Sequence, residues 1–192
     1  MAEARASAQS CCPPLTTTPM HTRSLFVLAC AAGPLFAQAK SPTSAVADAR
    51  ELWKEATGFI VESATDMPEA KYAYKPTPAV RSFGEIIGHV AGAQSMFCAT
   101  AMGEKPPAED AVEKTAKTKA ALIDALRSSN SYCDRAYAQS DAAATASVDL
   151  FGTQRTRLYT LMMNAMHNNE HYGNIVTYMR MNGMVPPSSK PR

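Results

Sequence analysis

"SFGEIIGHV", residues 82–90, is the stretch that decides the fold, because it carries the clearest helix start in the chain. Ser82 is a residue type preferred at helix N-caps, and Glu85, three residues later, can complete a capping box. Apolar residues then recur at three- and four-residue spacing, which is typical of one buried helix face: Phe83, Ile86, Val90, Ala93 and Phe97. Gly103 lies just past the end of this pattern. The stretch therefore predicts an amphipathic helix that begins after Ser82.

Three further helices are predicted on either side of this one. The first covers about residues 42–64 and the third about residues 111–138. The fourth is predicted to begin at a cap on Thr153 and to end at Met181, where Asn182 and Gly183 stop it. Residues 140–152 form a looser segment, and no segment shows a convincing strand pattern. Four helices with one apolar face each most economically bury those faces together, so the sequence predicts an all-α four-helix bundle.

The first 39 residues are predicted to lie outside this domain. A short basic start at residues 20–23 is followed by an apolar run over residues 25–36 and by Ala37-Gln38-Ala39. This order is typical of a secretory signal peptide, and the run is too short for a transmembrane helix. The alternatives are a lipoprotein modified at Cys30 or an N-terminal core helix, which Gly33-Pro34 would break. We therefore expect an N-terminal extension and signal peptide over residues 1–39, an exported mature domain over residues 40–192, and a periplasmic or secreted location.

The charge of the chain argues against two classes of partner. The full chain has a formal net charge of +2, and removal of Arg5, Arg23 and Glu3 with the leader changes it to +1. A near-neutral protein has no electrostatic reason to bind nucleic acid or a membrane surface. We therefore expect no nucleic-acid partner and, after removal of the leader, no membrane span. A homodimer is left open.

Two cysteines remain in the predicted mature domain, Cys98 and Cys133. In an oxidising compartment, two cysteines on separate helices can form a disulfide, provided that those helices are neighbours; antiparallel neighbours would bring the sulfur atoms together. The alternative is two small buried apolar residues. The sequence leaves both interpretations open.

Three histidines are candidates for metal ligands. His167 and His171 are four residues apart in the fourth predicted helix, so their imidazoles lie on the same side of it. They belong to a polar stripe bordered by apolar residues, where a bundle would place an internal site: Asn164, His167, His171, Asn174 and Tyr178. His89 lies beside the apolar stripe of the second helix. The alternative to a three-histidine site is that these are ordinary core or surface histidines, whose ring nitrogens form hydrogen bonds with protein or solvent.

Other known metal and cofactor patterns fit the sequence less well. "HNNEH" is not the metalloprotease motif HExxH, because Asn168 occupies the position of the general-base Glu. Glu170 points about a hundred degrees away from His171 on a helix, which disfavours a site made of two histidines and one carboxylate. The chain has no Glu-x-x-His pair, no CxxCH haem motif and no glycine-rich phosphate loop.

The segments "SFGEIIGHV", "HNNEHYGNIVTYMRMNG" and "VPPSS" together resemble the DinB-like (damage-inducible) family of metalloenzymes. The resemblance covers about residues 53–189 and implies a four-helix bundle in an up-down-down-up arrangement. It also implies a divalent ion, nickel, zinc or manganese, bound by His89, His167 and His171. Asn174 departs from the pattern, since many members have Gln at that position.

Two functions of different class follow from a three-histidine site. Three neutral ligands leave an ion with an open coordination position, which suits a metal-dependent enzyme, either thiol transferase-like or a hydrolase, acting on a small molecule. The alternative is a non-catalytic, stress-related metal-binding module. A general base near the ion would favour the enzyme. Glu85, one helical turn before His89, is the one carboxylate obviously placed to serve, and its capping role competes with that function.

Overall fold

Four long helices make up most of residues 44–191, the part of the chain that the computed structural model describes. They are α1 (Ala45–Asp66), α2 (Phe83–Met102), α4 (Lys119–Ala136) and α6 (Arg157–Met181). Between them lie the short helices α3 (Ala111–Thr115) and α5 (Asp141–Ala144) and a hairpin of β1 (Ser147–Leu150) and β2 (Thr153–Thr156). Single 3₁₀ turns cover Glu69–Lys71 and Pro187–Ser189. The predicted signal peptide lies outside the described residues.

The first and last long helices, α1 and α6, run side by side in the same direction. Near their starts, Val46 and Leu161 belong to the same apolar cluster. Further along, the rings of Phe59 and Tyr172 stack with their centroids 5.0 Å apart. Among residues 44–191, none of the helices combines the length and apolar character that crossing a membrane requires.

The two middle long helices, α2 and α4, also run parallel to each other and antiparallel to the outer pair. Gln94 of α2 contacts Ser129 of α4, and Cys98 of α2 contacts Cys133 of α4. The contacts therefore follow the same order along both helices. Parallel neighbouring elements need a long connection, and residues 103–118, which include α3, provide it. The all-α, four-helix bundle with an up-down-down-up arrangement is therefore confirmed.

The start and stop of α2 follow the sequence signals. Ser82 accepts a hydrogen bond from the backbone N–H of Glu85, and the Glu85 carboxylate accepts one from the backbone N–H of Ser82, so the capping box is complete. Gly103 ends the helix with φ 75°, a left-handed conformation that glycine adopts without steric cost. Hydrogen bonding by the Ser82 backbone and by Lys75 lowers the pKa of Glu85 to about 2.

Replacing Glu85 with glutamine is expected to lower the unfolding free energy by about 0.5–1 kcal/mol at pH 7. The pKa of Glu85 lies below its ordinary value of 4.5 in the folded protein. Its stabilisation is therefore present above about pH 4.5 and is lost as the pH falls towards about 2. Urea unfolding of both proteins at pH 7 and pH 3 measures this difference, which should shrink at pH 3. An equal difference at both values would contradict the capping role of the carboxylate.

Three sequence predictions differ from the structure in the second half of the chain. The predicted third helix is two helices, α3 and α4, because Thr118 is extended and caps α4 by accepting from the N–H of Ala121. The predicted looser segment ends in a β-hairpin, with Leu150 paired to Thr153. The last helix begins at Arg157 with Thr156 as its cap, so the predicted cap at Thr153 is wrong.

A buried amide at the centre of the bundle joins all four long helices. The Oε1 atom of Gln94 accepts hydrogen bonds from Trp53 Nε1 of α1 (2.7 Å) and Asn168 Nδ2 of α6 (2.9 Å). Its Nε2 atom donates to Ser129 Oγ (2.8 Å) and Asn130 Oδ1 (2.6 Å) of α4. Gln94 is fully buried, and both ends of its amide are satisfied. This network explains why the polar residues Gln94, Ser129 and Asn168 lie on otherwise apolar helix faces.

Cys98 and Cys133 form a disulfide between α2 and α4, with their Cα atoms 5.3 Å apart. The sequence had left a disulfide and two buried thiols as alternatives, and the structure contains the disulfide. The helices that it joins are parallel, whereas the sequence had suggested the bond on the condition that they are antiparallel neighbours. In parallel helices the two cysteines meet because they lie at equal heights, near the C-terminal end of each helix.

Replacing Cys98 and Cys133 together with alanine is expected to lower the unfolding free energy by about 2–4 kcal/mol, because the bond closes a loop in the unfolded chain. The bonded residues are 35 positions apart. Guanidinium unfolding of the parent and the double variant measures the loss. Intact mass after alkylation without reductant is the accompanying check, and two alkylated thiols in the native parent would contradict the disulfide.

Candidate metal centre

Helices α2 and α6 bring three histidines to one point. His89 comes from the middle of α2, and His167 and His171 come from adjacent turns of α6, which runs antiparallel to α2. The Nε2 atom of His89 lies 3.2 Å from that of His167 and 3.1 Å from that of His171, and the last two are 3.1 Å apart. His89 is buried, whereas the other two are half-buried. The structure therefore brings together the three residues that the sequence singled out.

Three nitrogen atoms in this arrangement cannot satisfy one another by hydrogen bonding. Each Nε2 atom carries either one hydrogen or one lone pair, so at most one of the three contacts can be an N–H···N hydrogen bond. The Nδ1 atoms of His89, His167 and His171 are also buried, with no hydrogen-bond partner among residues 44–191. Buried polar atoms without partners are rare in folded proteins, so the three Nε2 atoms, which cannot all satisfy one another, point to a group that they share.

A divalent metal ion fits this donor set. Imidazole nitrogens bind zinc at about 2.0–2.1 Å, so three of them on one ion lie about 2.9–3.4 Å apart for bond angles between about 90° and 110°. The separations of 3.1–3.2 Å fall within that range. The same residues are also the one group of at least three His, Cys, Asp or Glu side chains in residues 44–191 that is placed to hold an ion.

The protonation of the three histidines suits metal binding as well. Burial lowers the pKa of His89 to about 3 and that of His171 to about 4, with smaller contributions from Arg81 and from the neighbouring imidazoles. Burial also lowers the pKa of His167, against the opposing effect of Glu109. All three imidazoles are therefore neutral near pH 7, which is the form that donates a lone pair to a metal.

Two carboxylates face the cluster from the side of His89. Glu109 Oε1 lies 3.6 Å from His89 Nδ1, and Glu113 Oε2 lies 3.8 Å from the same atom. Arg81 Nε donates to Glu113 Oε1 at 3.1 Å, which holds that side chain in place. The Glu109 side chain is 43% exposed, whereas that of Glu113 is 19% exposed. Carboxylates beside the second nitrogen of a histidine commonly orient metal ligands.

Two glycines of α2 allow these carboxylates to approach. A β-carbon at Gly88 would lie 2.9 Å from Glu113 Cα, and one at Gly92 would collide with the carbonyl oxygen of Glu109. Residues 109–113 therefore pack directly on the α2 backbone on either side of His89. The position of Glu109 and Glu113 beside the histidines was not predicted from the sequence. The available signal was a pair of glycines four residues apart inside a helix, which marks close approach of another backbone.

Two expectations about neighbouring residues need correction. Glu85 does not face the cluster as a general base, because its carboxylate binds the backbone of Ser82 and Lys75 Nζ at 2.9 Å. The polar stripe of α6 is not continuous in the interior, since Asn174 is exposed. Asn168, by contrast, is fully buried and belongs to the Gln94 network.

The side of the cluster at His167 is apolar. The ring of Phe97 lies 5.5 Å from that of His167, centroid to centroid. Phe97 is buried in a small apolar cluster of α2 and the hairpin, with Met163 packed against it: Ala93, Met96, Phe97 and Leu150. The candidate site therefore has an acidic side at His89 and an apolar side at His167.

Comparison with known proteins places this arrangement among related folds. A profile described as the DinB superfamily matches residues 40–175. A DinB-like protein from Bacillus cereus superposes with a TM-score of 0.63 at 20% identity, over 72% of this chain and 93% of that chain. For a conserved protein from Enterococcus faecalis the TM-score is 0.60 at 16% identity, over 72% and 97%.

The same bundle also occurs in a solved enzyme. A variant of the mycothiol-dependent maleylpyruvate isomerase has a TM-score of 0.56 at 16% identity, over 71% of this chain and 68% of that chain. At this level of identity the likeness concerns the fold alone. None of the curated proteins is a significant match to the chain.

Proposed function

This chain belongs to the DinB superfamily, and from that premise we propose that it is a metal-dependent enzyme whose His89, His167 and His171 hold one divalent ion. The observation that carries the proposal is the convergence of three Nε2 atoms, within 3.1–3.2 Å of one another, from two different helices. The acting metal is zinc, nickel or manganese; imidazole ligands suit zinc and nickel, whereas manganese favours oxygen ligands.

Three histidines form an open site rather than a closed structural one. Structural zinc sites use four protein ligands, often thiolates, whereas catalytic sites use three and leave a position for water or substrate. When bound by three histidines, a divalent ion lowers the pKa of a water or thiol at its open position and polarises a carbonyl group. The donor set therefore supports a thiol transferase-like or hydrolytic reaction on a small molecule.

Glu109 is our candidate for the general base. Its carboxylate lies 3.6 Å from His89 Nδ1 and is 43% exposed, so an incoming molecule can contact it beside the cluster. In this role, Glu109 Oε1 accepts the proton that a water or thiol loses on activation. Glu113 is more buried and is held by Arg81, so it serves as a positioning group that fixes the His89 ring through Nδ1.

The comparison supports a thiol as the activated group only through the fold. The isomerase that shares the bundle is mycothiol-dependent, and shared fold alone does not establish shared chemistry. The alternative to the enzyme is a non-catalytic metal-binding module. Such a module could also use carboxylates beside His89 to orient its ligands, so it is the open position of a three-ligand site, rather than Glu109, that favours the enzyme.

Metal analysis tests the proposal most directly. Protein purified from its native compartment without an affinity tag is expected to carry about one equivalent of divalent metal. After chelation, titration with zinc, nickel or manganese should restore one equivalent. Replacement of Glu109 with glutamine should leave this stoichiometry unchanged. A native protein without metal that also binds none on titration would overturn the proposal.

We propose further that residues 1–39 export the mature domain. A disulfide supports this proposal, because such bonds form and persist mainly in oxidising compartments. N-terminal sequencing of native protein is expected to begin near Lys40. An intact start at Met1 or Met20 in a cytoplasmic fraction would contradict export.

A further inference from the structure

The tip of the β-hairpin contains the one non-glycine residue with positive φ in residues 44–191. Phe151 has φ 54°, and Gly152, next to it, has φ 75°. Two residues with positive φ between paired strands form a type I′ turn, in which Asn or Asp usually precedes Gly. Phenylalanine adopts this conformation only at a steric cost. The sequence thus places an unfavourable residue at the position where a favourable one is common.

Burial does not explain this residue. The Phe151 side chain is 69% exposed. The hairpin is instead anchored by its neighbour Leu150, which is 5% exposed and packs with Phe97 of α2. A large aromatic residue that is both strained and exposed contributes little to folding, and such residues cluster at functional sites.

The position of Phe151 relates it to the candidate metal centre. Its ring meets the buried ring of Phe97 edge to face, with centroids 5.9 Å apart and an interplanar angle of 83°. Phe97 in turn contacts His167. One aromatic ring, that of Phe97, therefore separates the exposed Phe151 from His167 of the cluster.

We propose that Phe151 is a specificity-determining residue, and that the small molecule on which the site acts carries an aromatic or other flat apolar group that packs on the exposed Phe151 ring. This inference rests on the proposed function and adds the substrate class to it. A molecule with a reactive polar end and an apolar ring matches a site whose one side is acidic and whose other side is aromatic.

Two metal-binding probes that differ by a phenyl group test the inference. Cobalt(II)-loaded protein is titrated with acetohydroxamate and with benzohydroxamate, and the visible absorption of cobalt reports binding. The ratio of the two dissociation constants gives the preference for the ring. Phe151→Asn, which removes the ring and suits positive φ, is expected to lower this preference about three- to tenfold, the range of one aromatic contact. Phe151→Tyr should retain the preference.

Leu52→Ala is the matched control, because Leu52 is an equally exposed apolar residue (64%) on α1 and belongs to neither the hairpin nor the histidine cluster. It should leave the preference unchanged. The melting temperature of metal-free Phe151→Asn should equal or exceed that of the parent, since the substitution relieves strain. Three results would each overturn the inference. They are an unchanged preference in Phe151→Asn, a failure of the parent to bind benzohydroxamate, and a marked fall in the melting temperature of Phe151→Asn.

The failure of this inference can be told apart from failure of the proposed function. If the parent protein does not take up one equivalent of cobalt, the metal site itself is wrong and both proposals fail. If the parent and Phe151→Asn bind cobalt equally but show the same preference between the two hydroxamates, the metal site stands and the role of Phe151 is wrong.

Discussion

Replacing His89, His167 or His171 singly with alanine is expected to abolish stoichiometric metal binding. Two imidazoles bind a divalent ion weakly, and the loss of His89 also removes the one histidine that α2 supplies to the cluster. For the parent, metal at a thousandfold excess over the dissociation constant should add about 4 kcal/mol to the unfolding free energy. That gain corresponds to a rise on the order of 10 °C in melting temperature. Elemental analysis and thermal unfolding with and without metal measure both effects.

Asn169→Ala provides the control for these variants. Asn169 lies on the same helix between the two histidines, and its side chain is exposed. It should keep the full equivalent of metal and the full rise in melting temperature. A His89→Ala protein that still held one equivalent at unchanged affinity would show that the three-histidine site is wrong.

Replacing Gln94 with leucine is expected to lower the unfolding free energy by about 3–5 kcal/mol. Leucine has a similar volume but leaves Trp53 Nε1 and the Asn168 amide buried without their partner. It also removes the donor to Ser129 and Asn130. Several unsatisfied groups then arise from one substitution. Urea unfolding monitored by circular dichroism measures the loss in metal-free protein.

Gln139→Leu is the matched control for Gln94, since Gln139 is half-buried and its side chain binds one backbone carbonyl, that of Ala136. Its effect should stay below about 1 kcal/mol. Combining Gln94→Leu with Trp53→Phe should cost less than the sum of the two single losses, because the second change removes a donor that the first leaves unpaired. Simple additivity would mean that the two residues do not interact as described.

The long helices could be predicted from the sequence because each carries local signals that its tertiary position does not override. The capping box of Ser82 and Glu85 and the stop at Gly183 lie where expected. The hairpin could not be predicted, since all four residues of β2 are exposed and show no alternation. Its turn also has Phe151 where the usual signal is Asn or Asp.

The histidines of the candidate site could be predicted from the sequence, but the carboxylates beside them could not. His167 and His171 are visible as neighbours on one helix face, and His89 is visible as a third histidine beside the apolar stripe of the second helix. The family resemblance implies that the three bind one ion. Glu109 and Glu113 lie in a connection that resembles any polar loop, and their approach depends on how that connection packs over α2. Such packing is a property of the whole bundle: Gly88 and Gly92 signal that another backbone approaches α2, but not which residues it brings.

The separation of the histidines along the chain has a consequence for how the protein would acquire its metal. His89 and His171 are 82 residues apart, and α6 is the last long helix. During synthesis, a nascent chain that has emerged only as far as α4 contains one of the three proposed ligands. The site therefore forms only after the last helix docks, so loading follows folding. For a protein exported unfolded, the metal pool of the destination, rather than that of the cytosol, would then decide which ion the site receives.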